Sequence, residues 1–70
     1  MTEVVASMAG NVWKVLVAVG DEVEEDQDVV ILESMKMEIP IATDFDGTVK
    51  EVKINEGDFV NEGDVLMIIE

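Results

Sequence analysis

Residues 7–33 recur in altered form as residues 44–70, and that offset of 37 restricts the fold more than any other property of the chain. Nine of the 27 aligned pairs are identical: Gly10/Gly47, Val12/Val49, Val15/Val52, Gly20/Gly57, Asp21/Asp58, Val23/Val60, Glu25/Glu62, Ile31/Ile68 and Glu33/Glu70. A composition rich in Val, Glu and Asp gives roughly two or three such pairs by chance. Conservative pairs extend the match: Val17/Ile54, Val29/Leu66, Leu32/Ile69 and, upstream, Val4/Ile41. The copies also share an irregularity. Val12, Val15 and Val17 in one, and Val49, Val52 and Ile54 in the other, break strict alternation at the same place, as a β-bulge or strong twist does. Two copies are too few for a solenoid, which needs at least about three. They suit two similar halves packed around a pseudo-twofold axis.

Both copies are written in strand residues. Valine is the commonest residue, apolar runs are short, and Gly-Asp or Asp-Gly turns separate them. No apolar stripe persists at the helical period. Strands are predicted near 2–7, 11–18, 28–34, 37–42, 47–54 and 64–69. Short strand pieces flank the turns at Gly20-Asp21 and Gly57-Asp58, where each glycine is expected to supply a positive φ. The expected fold class is all-β: a flattened barrel or sandwich of two antiparallel sheets, with residues 1–70 as one domain. Trp13, the single tryptophan, is expected to cap the core, and Phe45 and Phe59 to lie in it or at its edge.

The repeat also isolates the part of the chain that is not scaffold. After Glu33 the first copy turns through Ser34-Met35-Lys36-Met37 into the second, whereas the second copy ends at Glu70. The connecting hairpin therefore has no counterpart. It carries Glu33-Ser34-Met35-Lys36-Met37-Glu38, between the apolar runs Val29–Leu32 and Ile39–Ile41. Methionine fills core gaps readily, but residues on opposite sides of a tight turn cannot both enter one core. Met35 and Met37 are accordingly assigned to recognition by a partner, beside a single amine. Glu33 and Glu38 flank the turn, and two readings stand for them: steering of partners, or a solvated face. Lys14, Lys50 and Lys53 fall between core positions and fit ordinary surface lysines.

Charge narrows the function classes. Seventeen acidic against four basic residues give a net charge of −13. Such a surface repels nucleic acid and anionic membranes, favours partners with basic docking surfaces, and favours a monomer. With no cysteine or histidine, the chain has no thiol nucleophile, no imidazole base and none of the commonest zinc ligands. No apolar run reaches the roughly 18 residues of a membrane helix, and no disulfide is possible. A cytoplasmic protein is expected. Asp44-Phe45-Asp46-Gly47 suggests a calcium loop but fails as one, because Ala42 takes the first ligand position and Lys53 the twelfth. No nucleophile–base pair or phosphate loop makes the chain an enzyme by itself.

The hexapeptide around Lys36 resembles the acceptor site of the biotinyl/lipoyl attachment domain family, and the resemblance covers nearly the whole chain. Gly20-Asp21-Glu22-Val23 before Val29–Leu32, and Gly57-Asp58-Phe59-Val60 before Val65–Ile69, are similar to the family's turn signature. Met8-Ala9-Gly10 and Asp46-Gly47-Thr48-Val49 also fit. Ser34 stands where alanine is commonest, and Asp26 where the first copy often has glycine, which bears on the local turn. No insertion marks the protruding thumb of some carrier subunits, so the likeness is to thumbless biotin/lipoyl attachment proteins. The resemblance implies a non-catalytic carrier. A biotin protein ligase would join biotin to the Lys36 amine from a biotinyl-adenylate. A biotin carboxylase would load CO2 and a carboxyltransferase would unload it. The alternative cofactor is lipoate on the same lysine; Met35-Lys36-Met37 argues against it, since lipoyl domains usually carry an acidic residue before the lysine. A third alternative, from another class, is an acidic interaction module without any cofactor.

Overall fold

A computed structural model describes residues 1–70. Eight strands follow in order: β1 Thr2–Val5, β2 Gly10–Val15, β3 Glu22–Val23, β4 Asp28–Ser34, β5 Met37–Ala42, β6 Gly47–Val52, β7 Phe59–Val60 and β8 Val65–Ile69. They form two antiparallel four-stranded sheets, in the orders β1-β8-β6-β3 and β5-β4-β2-β7. Shifting by 37 residues carries β2 onto β6 and β3 onto β7, so the pseudo-twofold axis exchanges the two sheets. Each sheet takes its short edge strand from the other half of the chain. Neither half can therefore complete a sheet alone.

The backbone hydrogen bonds obey the same symmetry. Gly20 N–H donates to Val49 O and Gly57 N–H to Val12 O, both at 2.8 Å. Ala6 and Thr43 are equivalent: Gly63 N–H donates to Ala6 O at 2.8 Å, and Asp26 N–H to Thr43 O at 2.7 Å. Each Gly-Asp turn is pinned by its own aspartate. Asp21 Oδ2 accepts from Ala18 N–H at 2.9 Å, and Asp58 Oδ2 from Asn55 N–H at 2.8 Å. Gly20 and Gly57 have φ of +95° and +97°, as expected for turns that only glycine enters without strain. Asp26 adopts the same left-handed region, φ +70°, as its equivalent Gly63 at +89°, so the missing glycine does not change the turn.

The irregularity legible in both copies is a register shift. It falls between Val12 and Lys14 where β2 pairs β4, and between Val49 and Glu51 where β6 pairs β8. Each bulge lets two successive residues face outward before Val15 or Val52 turns back towards the core. β2 and β6 end at Val15 and Val52, earlier than the predicted 18 and 54. Beyond them Leu16 N–H still donates to Val29 O at 2.9 Å, and Lys53 N–H to Leu66 O at 2.8 Å.

One core lies between the sheets. It consists of fifteen buried residues, mostly valine, with Leu32, Leu66, Met67, Ile41, Ile54 and Ile69 the largest. Burying each such side chain contributes about 1.5–3 kcal/mol. The aromatic residues are not in it. Trp13, Phe45 and Phe59 are 43%, 53% and 61% exposed, which corrects the expectation that they cap or enter the core. The reason is geometric. The bulge turns Trp13 outward, Phe59 alternates with the buried Val60, and Phe45 sits in a loop whose backbone is bonded to the buried Thr43 hydroxyl.

Candidate functional site

The β4–β5 hairpin is the longest strand pairing in the molecule, running from Asp28↔Ala42 to Ser34↔Met37. Its stem is anchored by Leu32 and Val30, both buried, opposite Ile39 and Ile41. Only Met35 and Lys36 lie outside the last pair, and both have positive φ, +52° and +65°. A two-residue loop with both residues left-handed is a type I′ turn, whose twist matches that of the strands it joins. Such turns favour Asn-Gly because side chains cost roughly 1–2 kcal/mol per residue in this region. Methionine and lysine are held there against their own preference, the condition under which backbone strain accompanies function.

The turn projects its side chains into water. Met35 is 92% exposed and Met37 64%. Lys36 is exposed too, and it differs from the other three lysines in having no side-chain partner. Lys50 pairs with Glu70 at 4.0 Å, Lys53 pairs with Glu51, and the Lys14 amine lies 5.3 Å from the Trp13 ring centre. Glu33 and Glu38 face each other across the stem, both exposed. Like charges directly opposite destabilise a strand pair, so this pairing is not explained by folding. The structure thus gathers all five predicted site residues, Glu33, Met35, Lys36, Met37 and Glu38, on one hairpin.

No cavity accompanies them. The two surface hollows, about 610 and 390 Å³, are lined by residues such as Glu22, Asp46 and Thr48 in one and Val15, Val17 and Val52 in the other. Neither includes a residue of the hairpin tip. A group joined to Lys36 would therefore hang free on the lysine stem rather than sit in a pocket. An unpaired, solvated amine with no pocket fits covalent attachment and does not fit non-covalent cofactor binding. Sequence reasoning did not reveal the left-handed backbone at Met35-Lys36, since neither residue type signals it. It also misplaced Trp13 and Phe59, although the repeat held the clue: their equivalents, Lys50 and Glu22, are charged and must face water.

Fold and site together have the layout of a carrier: a β scaffold with one unpaired lysine displayed at the tip of a hairpin. The family described as biotin-requiring enzyme, the biotin/lipoyl attachment family, matches residues 2–69, and the chain belongs to it. It is 70% identical over 60 residues to the biotin/lipoyl attachment protein of Bacillus subtilis, a match covering 86% of this chain and 82% of that one. It is 48% identical over 64 residues to the biotin carboxyl carrier protein of Streptococcus mutans, covering 91% of this chain but 49% of that one. Among solved structures, the urea carboxylase of Kluyveromyces lactis superposes with a TM-score of 0.92 at 33% identity, over 99% of this chain and 6% of that one. The chain therefore matches about four fifths of one relative, about half of another and a small part of a large enzyme.

Proposed function

We propose that Lys36 is the attachment point of biotin, and that the loaded chain carries CO2 between a biotin carboxylase and a carboxyltransferase. The observation that carries this is the isolation of Lys36: the one lysine without a side-chain partner, at the exposed tip of the longest strand pairing in the molecule. Biotin, when attached, supplies the ring nitrogen that holds the carboxyl group. The chain supplies position and recognition. The Lys36 amine, once deprotonated, attacks the acyl carbon of an activated biotin, and the amide forms as the adenylate leaves. Neither Glu33 nor Glu38 on the hairpin is paired with the Lys36 amine, so the base that takes its proton belongs to the ligase. Met35 and Met37 present a flexible apolar surface on both sides of the amine, suited to a ligase that must grip the tip.

The similarity to carboxylases and a carboxyl carrier supports biotin over lipoate. The same likeness supports carboxylase enzymes as partners. A biotin protein ligase as modifying enzyme, a monomeric state and a cytoplasmic location complete the proposal. The deciding test is the intact mass of the chain after co-expression with a biotin ligase or, separately, a lipoyl ligase. Wild type is expected to gain one biotinyl group and Lys36→Ala none. A lipoyl gain alone would move the protein to dehydrogenase chemistry; no gain with either would leave an interaction module.

A further inference from the structure

The pseudo-twofold axis provides an internal control for which surface residues the fold requires, because each position in one sheet has a counterpart with the same backbone in the other. On the outer face of the β5-β4-β2-β7 sheet the control fails. Pro40 on β5 pairs with Ile31 on β4, which lies opposite the β2 bulge that turns Trp13 outward. Leu16 follows on the same side, and Phe59 on β7 pairs with Asn11 of β2, diagonal to Trp13. These five residues make an apolar band across all four strands, all but the half-buried Ile31 exposed, with Asn11 beside Phe59 and Lys14 beside Ile31 as the polar residues among them and the Lys14 amine 5.3 Å from the Trp13 ring centre. Their counterparts on the other sheet, 37 residues away, are Glu3, Ile68, Lys50, Lys53 and Glu22. There the same backbone carries charge, with Lys50 paired to Glu70 and Lys53 to Glu51. Folding thus accepts charge at four of the five positions, and the apolar choice on one sheet alone needs another cause. Contiguous exposed apolar surface marks interaction.

We infer that this outer face is a docking surface for the biotin carboxylase that loads the ring, a protein presenting an apolar centre with a lysine- and arginine-rich rim. The inference rests on the carrier function proposed above and names a partner surface for it. Charge selects the occupant. Towards the hairpin the band is bordered by Glu33 and Glu38, on a chain of net charge −13, so a basic rim is complementary. A second copy of the chain or an anionic membrane would bring like charges together. Position selects the enzyme. Ile31 lies five residues before Lys36, roughly 16 Å along the strand. A ligase needs only the lysine and its methionines, whereas an enzyme working at the far end of the extended arm gains no hold on the tip and must grip the body. The sheet face, bounded by molecular extents of 31 and 19 Å, offers on the order of 600 Å², suited to a partner that binds and releases.

The test exchanges the two faces. In Trp13→Lys/Phe59→Glu each residue becomes its own counterpart and net charge is unchanged; Lys50→Ala/Lys53→Ala alters the opposite sheet as the control. The biotinylated full chain and both variants are assayed as substrates of a purified bacterial biotin carboxylase, beside thermal unfolding, sedimentation and the rate of biotin ligation. The expected result is a KM raised on the order of tenfold in the first variant alone, with kcat, unfolding temperature and ligation rate unchanged. An unchanged KM, an equal effect in the control, or a wild-type dimer that the first variant dissolves would each overturn the inference while leaving the carrier function standing. A wild-type chain that takes no biotin would overturn the carrier function, and this inference with it.

Discussion

At the scale of single residues, Lys36 combines the proposed point of attachment with an unfavourable backbone, a pairing that strained functional sites share. Its φ of +65° is one that glycine adopts freely. Alanine shares the steric cost that lysine bears, and no side-chain partner is lost on truncation. Lys36→Ala is therefore expected to change stability by less than about 0.5 kcal/mol, measured by chemical denaturation. Lys36→Gly relieves roughly 1–2 kcal/mol of left-handed strain against about 0.4–1 kcal/mol of added unfolded-chain entropy, so a small net gain in stability is expected while attachment is abolished. A large loss with alanine would make the lysine structural and remove the argument for display. The hexapeptide made this residue legible from sequence, but its backbone state was not. Type I′ turns normally announce themselves as Asn-Gly or Asp-Gly, and Met35-Lys36 gives no such sign.

At the scale of elements, the paired Gly-Asp turns hold the structure together. Each turn sends its short strand into the sheet of the other half, so β3 lies against β6 and β7 against β2. A β-carbon added at Gly20 meets nothing within 4 Å, and only the backbone conformation opposes a side chain there. Gly20→Val is expected to cost about 1–3 kcal/mol in thermal or urea unfolding, through strain alone, without altering biotin ligation at temperatures where the variant is folded. An undiminished stability would show that the turn can relax to negative φ. Strand positions and both bulges were legible because the repeat displayed the same broken alternation twice. The outward aromatics were not. Hydrophobicity assigned Trp13, Phe45 and Phe59 to the core, and the pleat and the bulge placed them outside.

At the scale of the whole molecule, charge dominates. Thirteen net negative charges on a body of 31 × 19 × 18 Å repel one another, and the chain has only two ion pairs to offset them, one of them at 4.0 Å. Salt screens that repulsion, with a Debye length falling from about 30 Å at 0.01 M to about 3 Å at 1 M. The unfolding temperature is expected to rise by several degrees when sodium chloride is raised over that range. A fall would mean that attractive pairs outweigh the repulsion. The same excess charge opposes contact between copies of the chain and is complementary to basic surfaces.

The sequence alone determined the all-β class, the two-half architecture and the turn glycines, because each is a local pattern: a period, a repeat, a motif. The tertiary structure decided what depends on residues far apart in the chain. It exchanged the short strands between halves and sorted exposed from buried among residues of equal hydrophobicity. Burial belongs to a position in the packed sheets, and the pairing of distant strands creates that position.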